Sequence, residues 1–569
     1  VTHTGREALL AGDAETAMAV FADEVARKPT DPEARYWLAA AQWQAGEYAG
    51  DSLNDARTLH ALALVRGMGL DIMRLRDEPP FAAEVARMLY GHHLVATASV
   101  AWGMALAGGE VDAPALVSYG LSLQHQGRID EASDIFRVAA DSFPSAAIHQ
   151  FLLFPQVFRE DGDRMHAKEA RAWAHRWGLA PPPERFANPP LAGRKLRIGY
   201  VAPTFAASQL RQFLAPVLEN HDSSAVEVTL YPADASTETA WPDWIRVHAI
   251  GGLSDSDAAE LIRRDGIDVL SDCWGPTAGS RHGVFARKPA PVQFAWINMI
   301  NTTGLSQMDY VLHADHPGSL DMTELFTEEI WPIGPVFTAF RPAGGRLPPA
   351  PTPAKVEGVV TLASFNHPAK LTDGVLAAWA TVLRNAANTR LLLKYRYFAD
   401  PVLQRTTQAR FAAHGVAPER LQFEGHSSGD EYFQAFGRVD LMLDGWPAPG
   451  ATTTLEALSN GVPVLAMVGN GKGLGGFYAR TILEACGLGD LATPTPEAFV
   501  AKALALVADL DQLEALRARV RPGFDGSAIR DEAGFTRRLE RACADMFARW
   551  EDHGASPDVM TATPLSLGR

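Results

Sequence analysis

The segment from Val439 to Val464, VDLMLDGWPAPGATTTLEALSNGVPV, narrows the possible folds more than any other. It opens with Val439-Asp440-Leu441-Met442-Leu443-Asp444, an apolar run of the length and composition of a buried strand. A Trp-Pro-Ala-Pro-Gly loop follows. An amphipathic helix then begins at Thr452-Thr453-Thr454, with Leu455, Ala457 and Leu458 as its apolar positions. Asn460-Gly461 supplies the stop, and Val462-Pro463-Val464-Leu465 starts another apolar strand. Strand, loop, helix and strand in so short a span predict a parallel sheet, whose ligands sit at the carboxyl ends of the strands. The N–H groups that open a helix attract phosphate, and three hydroxyls beside them add donors. Threonine also caps helices where no ligand is present, which is the plainer reading of the same residues. Glu456, one turn inside, has a carboxylate that could accept hydrogen bonds from a ribose.

The rest of the chain surrounds this unit with other grammars. At 569 residues it is too long for one core, and three or four domains are expected. A net charge of −16 argues against wholesale nucleic-acid binding. Cys273, Cys486 and Cys543 are too far apart for a disulfide framework or a zinc site. No apolar run has bilayer length, and VTHTGREALLAGDAE lacks the regions of a signal peptide; a cytoplasmic location is the expectation. Residues 1–180 are helical and repetitive. Gly12-Asp13 precedes Ala17, Phe21 and Pro29, and Gly127-Arg128 precedes Ala132, Phe136 and Pro144 at the same offsets. Gly46-Glu47-Tyr48 follows Gly12 by the tetratricopeptide period of about 34 residues, while residues 55–110 keep helical periodicity without the signature. Stacked repeats of this kind present a concave surface to a peptide or protein. Proline-rich seams at Ala180-Pro181-Pro182-Pro183 and Asn188-Pro189-Pro190 end the repeats. Strands alternating with helices then predict one doubly wound α/β domain over 191–345 and a second over 355–530, with a cleft between their strand ends. A helix over 531–550 packs back, and 551–569 reads as a flexible tail.

These stretches together resemble the protein O-GlcNAc transferase and SPINDLY family, in which tetratricopeptide repeats precede a two-domain GT-B glycosyltransferase. The resemblance runs from about Ala115 to Trp550. It rests on Gly199-Tyr200-Val201-Ala202-Pro203-Thr204-Phe205, on Asp272-Cys273-Trp274-Gly275-Pro276-Thr277-Ala278-Gly279, and on Phe285 to Gln293. It rests also on Asn301-Thr302-Thr303-Gly304-Leu305 with Met308-Asp309-Tyr310, on Ser364-Phe365-Asn366-His367-Pro368-Ala369-Lys370, and on the opening segment. The fold class it implies is an N-terminal α-solenoid followed by two doubly wound α/β domains. Carried over by position, Lys370 would neutralise the donor diphosphate as charge grows on the leaving group; taken alone it could be a solvated loop lysine. Thr452, Thr453 and Thr454 would hold the diphosphate, and Glu456 the ribose. His367 would lie near the phosphates, and Arg420 with Gly425 and His426 would lie where the base is read. Thr277, Thr302 and Thr303 fall on the acceptor side. No metal is implied, and the chain offers no Asp-x-Asp motif; the nucleotide sugar is a co-substrate, with UDP-GlcNAc the default.

Two departures touch the chemistry. The family has histidines where this chain has Ser208, on the acceptor side, and Pro276, and proline moves no protons. Asp272 is the candidate replacement base, with an N-cap or turn residue as its other reading; His282 is close in sequence. The loop Asn470-Gly471-Lys472-Gly473-Leu474-Gly475-Gly476 is longer and richer in glycine than the family's, and Asn298 to Asn301 replaces a Gly-Tyr-Pro-Gly type run. The reading is an inverting, metal-independent transfer of a sugar to Ser or Thr of a protein held by the repeats. The alternatives are a catalytically silent scaffold that binds nucleotide, and a flagellin glycosyltransferase using CMP-nonulosonic acid or GDP-fucose.

Overall fold

The structure is a computed structural model, and it describes residues 13–27, 79–178, 185–206, 208–235, 241–297, 301–316, 322–469 and 473–553, with positions 4, 5, 7, 8, 38 and 41 before them. Gly12, Pro29, Gly46-Glu47-Tyr48, residues 55–78, Ala180 to Pro183, Asn298 to Ile300, Asn470 to Lys472 and the tail from residue 554 lie outside the described residues. The chain forms two compact units. One joins residues 1–149 to 344–467 and 493–518; the other joins 150–343 to 468–492 and 519–569.

In the first unit, helices run over Ala14–Arg27, Pro79–Gly91, Val95–Ala107, Ala113–Gln124 and Ile129–Ser142. The repeated residues do the same packing twice. Ala17 and Phe21 are fully buried in the first hairpin, Ala132 and Phe136 in the last. Sixteen residues before each phenylalanine stands a glycine under its ring: a Cβ on Gly5 would lie 2.7 Å from Phe21 Cζ, and one on Gly120 2.4 Å from Phe136 Cε1. Gly127 makes the turn between the last two helices at φ 82°, a conformation that suits glycine.

The same unit holds a six-stranded sheet in the order β10-β9-β8-β11-β12-β13. Its strands are β8 Val360–Ser364, β9 Thr389–Lys394, β10 Leu421–Glu424, β11 Leu441–Leu443, β12 Val464–Met467 and β13 Ala492–Thr493. The pairs among β8 to β12 are parallel, with Leu441 opposite Leu362 and Met442 opposite Ala363. The apolar runs are buried on both faces, as parallel strands covered by helices are. Strand order reverses at β8 and β11, where the crevice of such a sheet lies. One carboxylate joins the helices to this sheet: fully buried Asp400 caps the helix Pro401–Ala413 through Val402 N at 2.9 Å. It also accepts from Ala96 N at 2.7 Å and Thr97 N at 3.0 Å in the first turn of Val95–Ala107.

The second unit is built on a seven-stranded sheet of order β3-β2-β1-β4-β5-β6-β7, all of its pairs parallel. These strands are β1 Leu196–Val201, β2 Val226–Tyr231, β3 Arg246–Val247, β4 Val269–Asp272, β5 Val292–Ala295, β6 Tyr310–His313 and β7 Glu329–Pro332. The last helix, Glu532–His553, packs on this unit, with Phe535 stacked 5.8 Å from Trp296. Among the described residues no helix is long and apolar enough to cross a membrane.

Candidate active site

The loops that leave β8 and β11 meet at the switch point of the six-stranded sheet. After β8 the chain turns through Asn366 and a short helical turn, Pro368–Lys370. After β11 it runs from Asp444 through the Pro-Ala-Pro-Gly loop into the helix Thr452–Ser459. Lys370 Nζ donates to Pro449 O at 2.7 Å and, more weakly, to Asn366 Oδ1 at 3.4 Å. Thr453 Oγ1 donates to that same Asn366 oxygen at 2.8 Å, so one amide side chain links the lysine to the helix. Ala451 holds the N-cap position without a side-chain acceptor, which leaves the first-turn N–H groups to an incoming anion. Thr452 and Thr453 are half-buried and Thr454 buried.

Sequence reasoning missed the organiser of this arrangement. Asp444 is 1% exposed. It accepts from Gly450 N at 2.8 Å, Gly445 N at 2.9 Å, Asn366 Nδ2 at 2.9 Å and Thr454 Oγ1 at 3.3 Å. It thereby folds the loop back over its own strand. The available signal was an aspartate closing an apolar strand just before Gly and Pro. Burial raises its carboxyl pKa, with Lys370 and the two amides pulling the other way. Burial lowers the Lys370 ammonium, with Asp444 opposing. Among the described residues no carboxylate stands within ion-pair distance of Lys370, whose hydrogen-bond partners are neutral oxygens. A half-buried cation with neutral partners beside open helix N–H groups is a cradle for an anion.

Glu456 is buried and fixed by Tyr432, whose hydroxyl donates to Oε2 at 2.7 Å; the tyrosine was not singled out from sequence. His367 opens the Pro368–Lys370 turn, its Nδ1 accepting from Ala369 N at 3.0 Å. Burial takes its pKa well below the ordinary histidine value, with His125, Lys370 and Arg396 adding to the effect, so the ring is neutral. Gly425 and exposed His426 follow β10 at its carboxyl end.

Arg420 stands at the other end of this strand. It precedes β10 and so lies at the amino edge of the sheet. Its guanidinium donates to Leu383 O at 3.0 Å, Ala386 O at 2.8 Å and Thr389 Oγ1 at 2.7 Å. It closes a helix end and the start of β9. In the second unit Asp272, the candidate base, holds the turn after β4. Its Oδ1 accepts from Trp274 N at 2.9 Å and Gly275 N at 3.1 Å, and its Oδ2 stands 3.0 Å from His282 Nε2. Burial pushes its pKa up, but His282 and the two amides outweigh that and hold it below the usual carboxylate range. Asp272 is buried. Thr302 and Thr303, placed on the acceptor side by the resemblance, are buried. Thr302 Oγ1 donates to Glu328 Oε2 at 2.6 Å and Thr303 N to Glu328 Oε1 at 2.7 Å. Thr277 sits half-buried in the loop after β4, its hydroxyl 3.3 Å from Trp274 O. Ser208 begins the helix Ser208–Leu218.

The sequence profile of glycosyl transferase family 41 matches residues 138–337 and 354–539, more than half of the chain. The chain belongs to glycosyl transferase family 41. This family-41 chain is 33% identical over 423 residues to a probable UDP-N-acetylglucosamine–peptide N-acetylglucosaminyltransferase SPINDLY of Oryza sativa subsp. japonica, covering 69% of this chain and 44% of that protein. It is 26% identical over 413 residues to a probable transferase of the same description, SEC, of Arabidopsis thaliana, covering 68% and 41%. The chain therefore spans less than half the length of these curated relatives. Among solved structures, a mutant O-GlcNAc transferase of Thermobaculum terrenum superposes with a TM-score of 0.73 at 27% identity, covering 98% of each chain.

Proposed function

We propose that this protein transfers a sugar from a nucleotide donor, UDP-GlcNAc by default, to a Ser or Thr hydroxyl of a protein, in a cytoplasmic setting and with inversion at the anomeric carbon. The observation that carries this reading is Lys370, aimed with its proton-rich end at neutral oxygens beside the opening turn of Thr452–Ser459. In the proposed step the acceptor oxygen attacks the anomeric carbon from the face opposite the nucleotide, and its proton passes to a base. The C–O bond to the diphosphate breaks, and the negative charge that accumulates there is met by the Lys370 ammonium and the helix N–H groups. The charge work is assigned to these groups, so the proposal includes no metal. Glu456, held by Tyr432, would fix the ribose, and Gly425 with His426 the base side. Family membership and the names of the relatives, which speak of UDP-N-acetylglucosamine and peptide, support the same donor and acceptor classes.

A second reading is a scaffold that binds nucleotide without turnover, and one observation favours it: Asp272, the candidate base, is committed to its own turn. Lys370→Ala separates the possibilities. It is expected to weaken UDP binding and reduce transfer of sugar by at least a hundredfold while leaving Tm near that of the parent chain. Unchanged turnover, read by intact mass of a protein acceptor, removes Lys370 from the mechanism. UDP binding with no product from UDP-, GDP- or CMP-sugars favours the scaffold.

A further inference from the structure

The turn between the last two described repeat helices touches the loop that carries Lys370, within the same compact unit. A Cβ on Gly127 would lie 3.4 Å from Pro368 O and 3.6 Å from Ala369 Cα. Two residues before it, His125 Nδ1 lies 2.9 Å from His367 Nε2, and His125 Nε2 lies 3.0 Å from Tyr90 Oη. The proton positions follow from one end. The amide of Ala369 can only donate, so His367 Nδ1 is an acceptor and the proton of this neutral ring sits on Nε2. His125 Nδ1 must then accept, and its Nε2–H donates to Tyr90 Oη. Burial, with Arg396 and His93 adding, takes the His125 pKa down to about 3, so this ring too is neutral at physiological pH. The His125 ring is held flat against Tyr397 at 4.5 Å.

We infer that His125 is a positioning residue for donor binding: by accepting the Nε2–H of His367 it fixes the ring that receives the Ala369 amide, and so holds the short turn from which Lys370 reaches the diphosphate. The helical repeats then supply part of the donor site's rigidity as well as a surface for a partner. This rests on the donor reading given above.

The test compares His125→Phe with His125→Gln in the full chain, alongside Lys370→Ala, by calorimetric titration with UDP and GDP and by steady-state kinetics. Phenylalanine keeps the stacking on Tyr397 and removes the acceptor; glutamine restores an acceptor oxygen and a donor. His125→Phe is expected to raise the Kd of the nucleotide and the KM of the donor about tenfold, with the acceptor KM unchanged. His125→Gln is expected to recover most of that loss. Parent-like donor binding in His125→Phe, or equal losses in both variants, overturns the inference. If Lys370→Ala itself leaves nucleotide affinity unchanged, the donor reading falls first, and the two failures are told apart.

Discussion

Among the described residues Lys370 meets Pro449 O and Asn366 Oδ1 and no carboxylate, and this bears on the pH behaviour expected of the site. Its ammonium pKa lies below the ordinary 10.5 because burial penalises the charge more than Asp444 supports it. On the donor reading the charged form would bind the diphosphate, and it is present below that pKa. Affinity for UDP is therefore expected to fall on the alkaline side, starting at lower pH than for an ordinary lysine. A titration series up to about pH 10 reads the limb, and Lys370→Arg should flatten it, since guanidinium stays charged there. Gly450 is the second sensitive position. A Cβ there would lie 2.6 Å from Thr453 Oγ1, 2.8 Å from Thr454 Oγ1 and 3.0 Å from Asn366 Oδ1. Gly450→Ala should cost about 1–3 kcal/mol in denaturant unfolding and, on the donor reading, weaken UDP binding, because the groups it displaces would frame the anion.

At the scale of elements, the determining feature is where loops leave the strands. β8 and β11 are neighbours, and their carboxyl ends bring together residues that are 79 apart in sequence, Lys370 and Pro449. The helices are fixed by their ends. Asp400 serves two of them, and its neighbour helix Val95–Ala107 has Leu94 at the N-cap with no side-chain bond of its own. Asp400→Ala should lose about 2–4 kcal/mol, since it strips an acceptor from buried amides of both helices. Thermal or denaturant unfolding checks this, and Asp400→Asn should recover part of the loss. A cost under about 0.5 kcal/mol would mean that water replaces the carboxylate.

For the whole molecule, the helices before His149 share a compact unit with the sheet that carries Lys370, although some two hundred residues separate them in the chain. A chain beginning at Gln150 is expected to bind UDP more weakly and to melt at lower temperature than the full chain, because it uncovers buried Asp400 and the His367 edge. A repeat module that merely tethers partners would come away with neither effect; calorimetry and UDP titration on the two chains decide. The alternating strands and helices, the Gly and Phe of the repeats and the Thr-Thr-Thr helix were legible in sequence, since each is a local pattern set by side-chain period, turn chemistry or helix-end propensity. Motif position placed Arg420 near the nucleobase, whereas its place at the amino end of β10 came only with the structure. What only the tertiary structure decided is which polar groups face each other: Asp444 with Gly450 and Asn366, Tyr432 with Glu456, Thr302 and Thr303 with Glu328, His125 with His367. The physical reason is that a buried hydrogen bond is specified by two segments at once, and neither segment carries the identity of its partner.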